Sequence, residues 1–187
     1  MNNLHFDALN IDKEWFKIGK ERKENTEKDV AFKFIAYWIA FNAIFSQYSR
    51  FEGDNEAKQI RALVDVRYDK CLKGKINFDN NPVLNVFKEA PVFKSHFYPE
   101  EGFDYLNQRF PTNDRDIRRS IDIYKEFMCY NDDKEKLFNL LLMIKQVRNN
   151  LFHGKKTPYP ERNYKLVDSS QKILETILKA LIEFEEY

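Results

Sequence analysis

The chain is 187 residues long, with 43% hydrophobic and 33% charged residues, a balance that supports one sizeable core and excludes a disordered chain. Its 31 basic and 30 acidic side chains leave a formal charge of +1, so no global field draws it onto nucleic acid or membrane and any RNA contact has to be local. Only 5 Gly and 6 Pro are too few for the turns of a sandwich or barrel, which predicts an all-α protein.

The N-terminal M-N-N-L-H-F-D-A has neither the basic start nor the apolar core of a secretory signal. Residues 12 to about 22 read as a first helix with Trp15, Phe16 and Ile18 facing inward. Thr26, followed three residues later by Asp29, is a capping-box pattern. It opens a long helix to about residue 48, with Val30, Phe34, Tyr37, Trp38, Phe41 and Phe45 at helical spacing. The most hydrophobic run, A-F-K-F-I-A-Y-W-I-A-F-N-A-I-F, is too short for a bilayer and is broken by Lys33 and Asn42. A cytoplasmic protein with no membrane partner is the expectation. A third, more polar helix spans 54 to about 72 and carries Ile60, Leu63, Val64 and Tyr68.

Residues 74–113 differ, because Pro82, Pro91, Gly102, Pro99 and Pro111 punctuate short aromatic runs. They read as an insertion or lid of short helices and loops over one end of the bundle. Helix resumes over about 114–130. Asp132 with Glu135 is a second capping-box pattern, starting a helix that Gly154 ends and that Pro158 and Pro160 cannot continue. Asp168 with Gln171 opens a last helix striped by Ile173, Leu174, Ile177, Leu178, Leu181 and Ile182. The expected architecture is a single domain, 1–187, built as an up-and-down bundle of about five main helices.

No metal or cofactor is expected. Cys71 and Cys129 lie far apart and read as reduced structural thiols. His5 and His96 read as surface or packing residues, and the basic run of residues 115–120 as a solvated helix face. There is no Gly-rich phosphate loop, no G-x-S-x-G and no H-E-x-x-H.

The stretch Q-V-R-N-N-L-F-H-G-K-K, residues 146–156, is the exception to this ordinary pattern. On a wheel of about 100° per residue, Leu137, Leu141, Ile144, Leu151 and Phe152 all fall within roughly 60° of Arg148. A guanidinium inside an apolar stripe needs a partner. Either a carboxylate of the fold supplies it, or the face opens onto an anion or a second subunit. His153 lies four residues after Asn149, in a last helical turn that favours a protonated imidazole. Lys155 and Lys156 follow at once. Such a cluster suits binding a phosphodiester and moving a proton during its cleavage.

R-N-N-L-F-H-G-K-K closing an apolar helix, with F-I-A-Y-W-I-A-F-N-A-I-F in an earlier one, resembles the HEPN superfamily, above all its Apea-like branch. The resemblance implies a helical bundle that dimerises through the motif helices. It also implies metal-independent endoribonuclease chemistry at a composite site between the subunits. Arg148 and His153 match the family's defining Arg and His, Asn149 the polar residue that commonly follows the Arg, and Asn42 a polar position facing the same site. The tyrosine that some branches carry after the His is replaced here by Gly154 and Lys155.

On that resemblance His153 is the general base toward the ribose 2′-hydroxyl or the general acid toward the leaving oxygen, Arg148 steadies the phosphoryl oxygens, and Asn149 orients imidazole or phosphate. RNA is the expected substrate, with Lys155, Lys156 and Asn42 as binding residues. A toxin or defence effector of this kind implies an inhibitory partner protein. Two other readings stay open: a non-catalytic HEPN module that binds RNA, a nucleotide or a protein partner, and a structural bundle whose Arg148 is salt-bridged inside the protomer.

Overall fold

The long apolar run forms the centre of the molecule. In the computed structural model, which describes residues 4–48, 55–79, 81–90, 92, 127, 129–152 and 161–185 (backbone alone at 4–9, 152 and 185), no strand occurs among the described residues. The chain is an all-α bundle. Helices α1 (Leu4–Glu21), α2 (Glu27–Ser46) and α3 (Glu56–Arg67) are followed by a π turn (Tyr68–Leu72), then by α4 (Pro82–Glu89), α5 (Asp133–Phe152) and α6 (Glu161–Glu185).

Thr26 caps α2: its Oγ1 accepts the Asp29 N–H at 3.2 Å and donates to the Asp29 carboxylate at 2.8 Å, which occupies an amide that the helix leaves unpaired. Val30, Phe34, Tyr37, Trp38, Phe41 and Phe45 are all buried, and α1, α3 and α6 pack around them. By length and composition α2 could cross a membrane, contrary to the expectation from its apolar run. In this fold most of its apolar surface is covered by the neighbouring helices, with Phe32 left exposed, and the buried Lys33 ammonium pairs with Glu24 at 2.6 Å and Glu175 at 3.7 Å.

Helix α1 begins at Leu4, well before residue 12; of the three residues expected to face inward, Trp15 and Phe16 pack against the core and Ile18 does not. Asp12 and Gly19 are buried and Phe16 is half-buried, whereas Ile18 is 38% exposed. The contact face is centred on Gly19, where the absent side chain lets the Tyr37 ring come close.

Within the 74–113 segment, which is described only in part, Ile76, Leu84, Phe87, Ala90 and Val92 are buried, and the short helix α4 packs on α6. Asn81 caps α4, its Oδ1 accepting the Val83 N–H at 3.0 Å, and Pro82 takes the first turn, where no amide is needed. Eight residues are too few for a helical period to show in the sequence. Two further expectations change. Asp132 does cap α5, its Oδ1 accepting the Lys134 N–H at 3.1 Å. Glu135, however, turns away from that cap to an arginine of α3. Finally, α6 begins at Glu161, so Asp168 and Gln171 lie within the helix, where Asp168 pairs with Lys172 at 2.6 Å. Buried Leu166 and Val167 extend the apolar stripe back toward residue 161, and Glu161 pairs with Lys165 in the first turn at 2.7 Å.

One apolar cluster draws on α2 to α6, with Trp15 and Phe16 of α1 packed against it. The six residues named above for the final stripe are buried in it. The rest of the 74–113 segment, most of the helix expected over 114–130 and the turn with Gly154, Pro158 and Pro160 lie outside the described residues.

Candidate functional site

Helices α3 and α5 are joined by three rungs of charge. Asp65 pairs with Lys134 at 2.9 Å. Arg61 clamps Glu135 through two parallel hydrogen bonds of 2.5 and 2.7 Å, while its guanidinium lies 3.8 Å from the centre of the Phe138 ring. Glu56 reaches both Lys145 at 3.5 Å and Arg148 at 2.5 Å. Residue numbers rise along α3 as they fall along α5, so the two helices run antiparallel. The signs alternate on each helix, and a slip of one turn would set like charges opposite each other. Arg61 holds the Glu135 carboxyl below the usual carboxylate range through its hydrogen bonds and charge.

The third rung contains the arginine of the apolar stripe. Leu137, Leu141 and Ile144 around it are buried and Leu151 is half-buried, as the wheel requires. Arg148 escapes that stripe at the end of α5, and its side chain is 22% exposed. Among its contacts, three groups of its own chain hold the guanidinium. Nη2 donates to Glu56 Oε1, Nη1 donates to Asn149 Oδ1 at 2.7 Å, and Trp38 of α2 offers its ring face 4.8 Å away. A half-exposed ion pair contributes about 0–1 kcal/mol. A cation over an indole adds about 0.5–2 kcal/mol as solvent is excluded. Trp38 therefore matters at least as much as Glu56 in holding the group in place.

No family model, curated protein or solved structure matches this chain.

The motif residues are thus only partly gathered in one place. Arg148 and Asn149 are brought together by a direct hydrogen bond. Asn42 is exposed on α2, one turn beyond the Trp38 that lies against Arg148. His153, Lys155 and Lys156 lie outside the described residues, as do His96 and residues 115–120, and of His5 only the backbone is described. Asn149 commits its carbonyl oxygen to Arg148, which leaves its amide hydrogens to point elsewhere.

Two members of the site escape a reading of the sequence. Glu56 stands 92 residues before Arg148, and nothing local pairs the two. Lys145, one turn before Arg148 on the same face, carries a weak signal in its i, i+3 spacing. Elsewhere, an open cleft of about 330 Å³ lies between the π turn and the end of α6, lined by Lys70, Cys71, Lys73, Lys75 and Phe184 together with Asp69 and Glu183. Neither cysteine forms a disulfide: Cys71 donates to the Arg67 carbonyl at 3.5 Å and Cys129 is exposed. Among the described residues no three His, Cys, Asp or Glu side chains gather as a metal site.

Proposed function

We propose that this protein is a metal-independent endoribonuclease of the HEPN type, acting as a homodimer with its site at the ends of the motif helices. The observation that supports this reading best is the state of Arg148. Its guanidinium is held in a set orientation by Asn149 and Trp38, yet it stays partly open to solvent. A preoriented cation at an accessible helix end is what stabilising charge on a phosphoryl group requires.

In the reaction proposed, the 2′-oxygen attacks phosphorus as its proton passes to the His153 imidazole, and the bond from phosphorus to the 5′-oxygen breaks. The leaving oxygen takes a proton from an imidazolium, that of the partner protomer if the two roles are divided. The products are a 2′,3′-cyclic phosphate and a 5′-hydroxyl. Arg148 balances charge on the non-bridging oxygens. Asn149 acts first on Arg148, keeping one edge of the guanidinium fixed, and offers its amide hydrogens to the phosphate. Lys155, Lys156 and Asn42 complete the RNA contacts in this reading. A cytoplasmic toxin or defence effector with an inhibitory partner is the matching context.

A second reading is favoured by a specific observation, the contact of Arg148 with Glu56 of its own chain. As the last rung between α3 and α5, Arg148 would serve stability alone, and the protein would be a helical module for binding or interaction.

Cleavage of labelled single-stranded and structured RNA in EDTA separates the two. Cutting by wild type that leaves cyclic phosphate ends, with losses of about 100-fold or more in His153→Ala and Arg148→Ala, is the expected result. Equal activity in all three proteins defeats the assignment. No cutting by wild type, with Arg148→Ala merely lowering the melting temperature, establishes the structural reading.

A further inference from the structure

The Glu56 carboxylate is the odd member of the proposed site, because it is an anion seated on the cations that a phosphate would use. Its geometry explains its presence. Lys145 and Arg148 are three residues apart on α5 and present two cations side by side. Glu56 places one oxygen on each, Oε1 at 2.5 Å from Arg148 Nη2 and Oε2 at 3.5 Å from Lys145 Nζ. A phosphodiester also presents two anionic oxygens on one centre, and the same pair of cations can take them. We propose that Lys145 and Arg148 form a phosphodiester seat, that Glu56 keeps it occupied in the free protein, and that RNA binds there by displacing Glu56.

The parts of the seat differ in how firmly they are held. Arg148 keeps Asn149 and Trp38 when Glu56 departs, so the guanidinium stays aimed. Glu56 is the first residue of α3, whose start is capped by Asn55, the Asn55 Oδ1 accepting the Lys58 N–H at 3.1 Å. The helix therefore does not depend on the Glu56 side chain for its cap, and that side chain can swing away by rotation about its own bonds. All three groups are within reach of water, with side-chain exposures of 22% for Lys145 and Arg148 and 30% for Glu56. An ion pair so placed is screened by salt and open to a competing anion. Lys145 thereby becomes a substrate-contact residue, and Glu56 a group that sets the affinity threshold for RNA.

This inference rests on the ribonuclease reading, and its test keeps the two apart. In the full chain carrying His153→Ala, which removes cutting, binding of a fluorescein-labelled single-stranded RNA is followed by anisotropy across a KCl series. Adding Glu56→Gln is expected to tighten binding about tenfold. Glu56→Asp, which keeps the charge but draws it back by one methylene, should give a smaller gain. Adding Lys145→Gln to the Glu56→Gln protein should abolish the gain and lower the salt slope by about one. Thermal melts accompany each variant, and a folded Glu56→Gln protein that binds RNA no better than its parent overturns the seat. So does a gain that survives Lys145→Gln. If wild type still cuts RNA in EDTA in those cases, the ribonuclease reading stands without the seat. If nothing cuts and nothing binds, both fall.

Discussion

Gly19 shows how much one missing side chain decides. A Cβ built there would lie 2.6 Å from Cδ1 of Tyr37 and closer still to Cε1, and Tyr37 is wholly buried with the Phe16 ring 5.5 Å away. The ring is packed on all sides, so little space is left for it to retreat into. Gly19→Ala should therefore lower stability by about 1–3 kcal/mol, although alanine is the better helix former. Urea unfolding of the two proteins measures it, and a variant as stable as wild type would show that α1 can shift outward freely. Arg148 makes the complementary point. Its anomaly on the helical wheel is legible from the sequence, and so is its neighbour Asn149, but Glu56 and Trp38 are not, because they meet it only through the packing of three helices.

At the scale of elements, α3 and α5 are matched by charge as well as by the apolar faces they share with the core. The Arg61–Glu135 clamp is the best made of the rungs, with two hydrogen bonds and an aromatic ring beneath it. Since Glu135 has a folded pKa below its unfolded one, the clamp contributes fully above the unfolded value. That contribution is lost as pH falls through the folded one. Wild type should lose stability steadily between about pH 5 and pH 2, and Glu135→Gln should flatten that slope while lowering stability at neutral pH. Urea midpoints across that range decide the matter, and parallel pH profiles for the two proteins would refute it. Asp29 adds to the acid sensitivity with the same sign, its carboxyl being held low by the Thr26 hydroxyl and by Arg22. The capping pattern at Thr26 was readable because a cap is a local device of three or four residues. Glu135 has the same spacing from Asp132, and there the long-range arginine offered two charge-assisted bonds and won the carboxylate.

For the molecule as a whole, the proposed function carries a requirement that the protomer does not. If the site is composite, the protein should run at twice the protomer mass in light scattering. Specific activity should fall on dilution as the dimer separates. A monomer that cuts RNA with undiminished specific activity would place the whole site within one chain.

By itself the sequence determined the class of fold and most of its core. Helical spacing of apolar residues is set by a backbone period that every helix shares, so the stripes of α2, α3 and α6 could be read directly and lie buried. It also set apart the short R-N-N-L-F-H-G-K-K stretch as chemically unusual. Tertiary structure decided what no local period encodes. It set Gly19 against Tyr37, buried Ile76, Leu84, Phe87, Ala90 and Val92, started α6 at Glu161, and joined Glu56 to a cation 92 residues away. Each of these depends on which surfaces meet, and meeting is settled by the burial and charge pairing of the assembled bundle rather than by any neighbour in the chain.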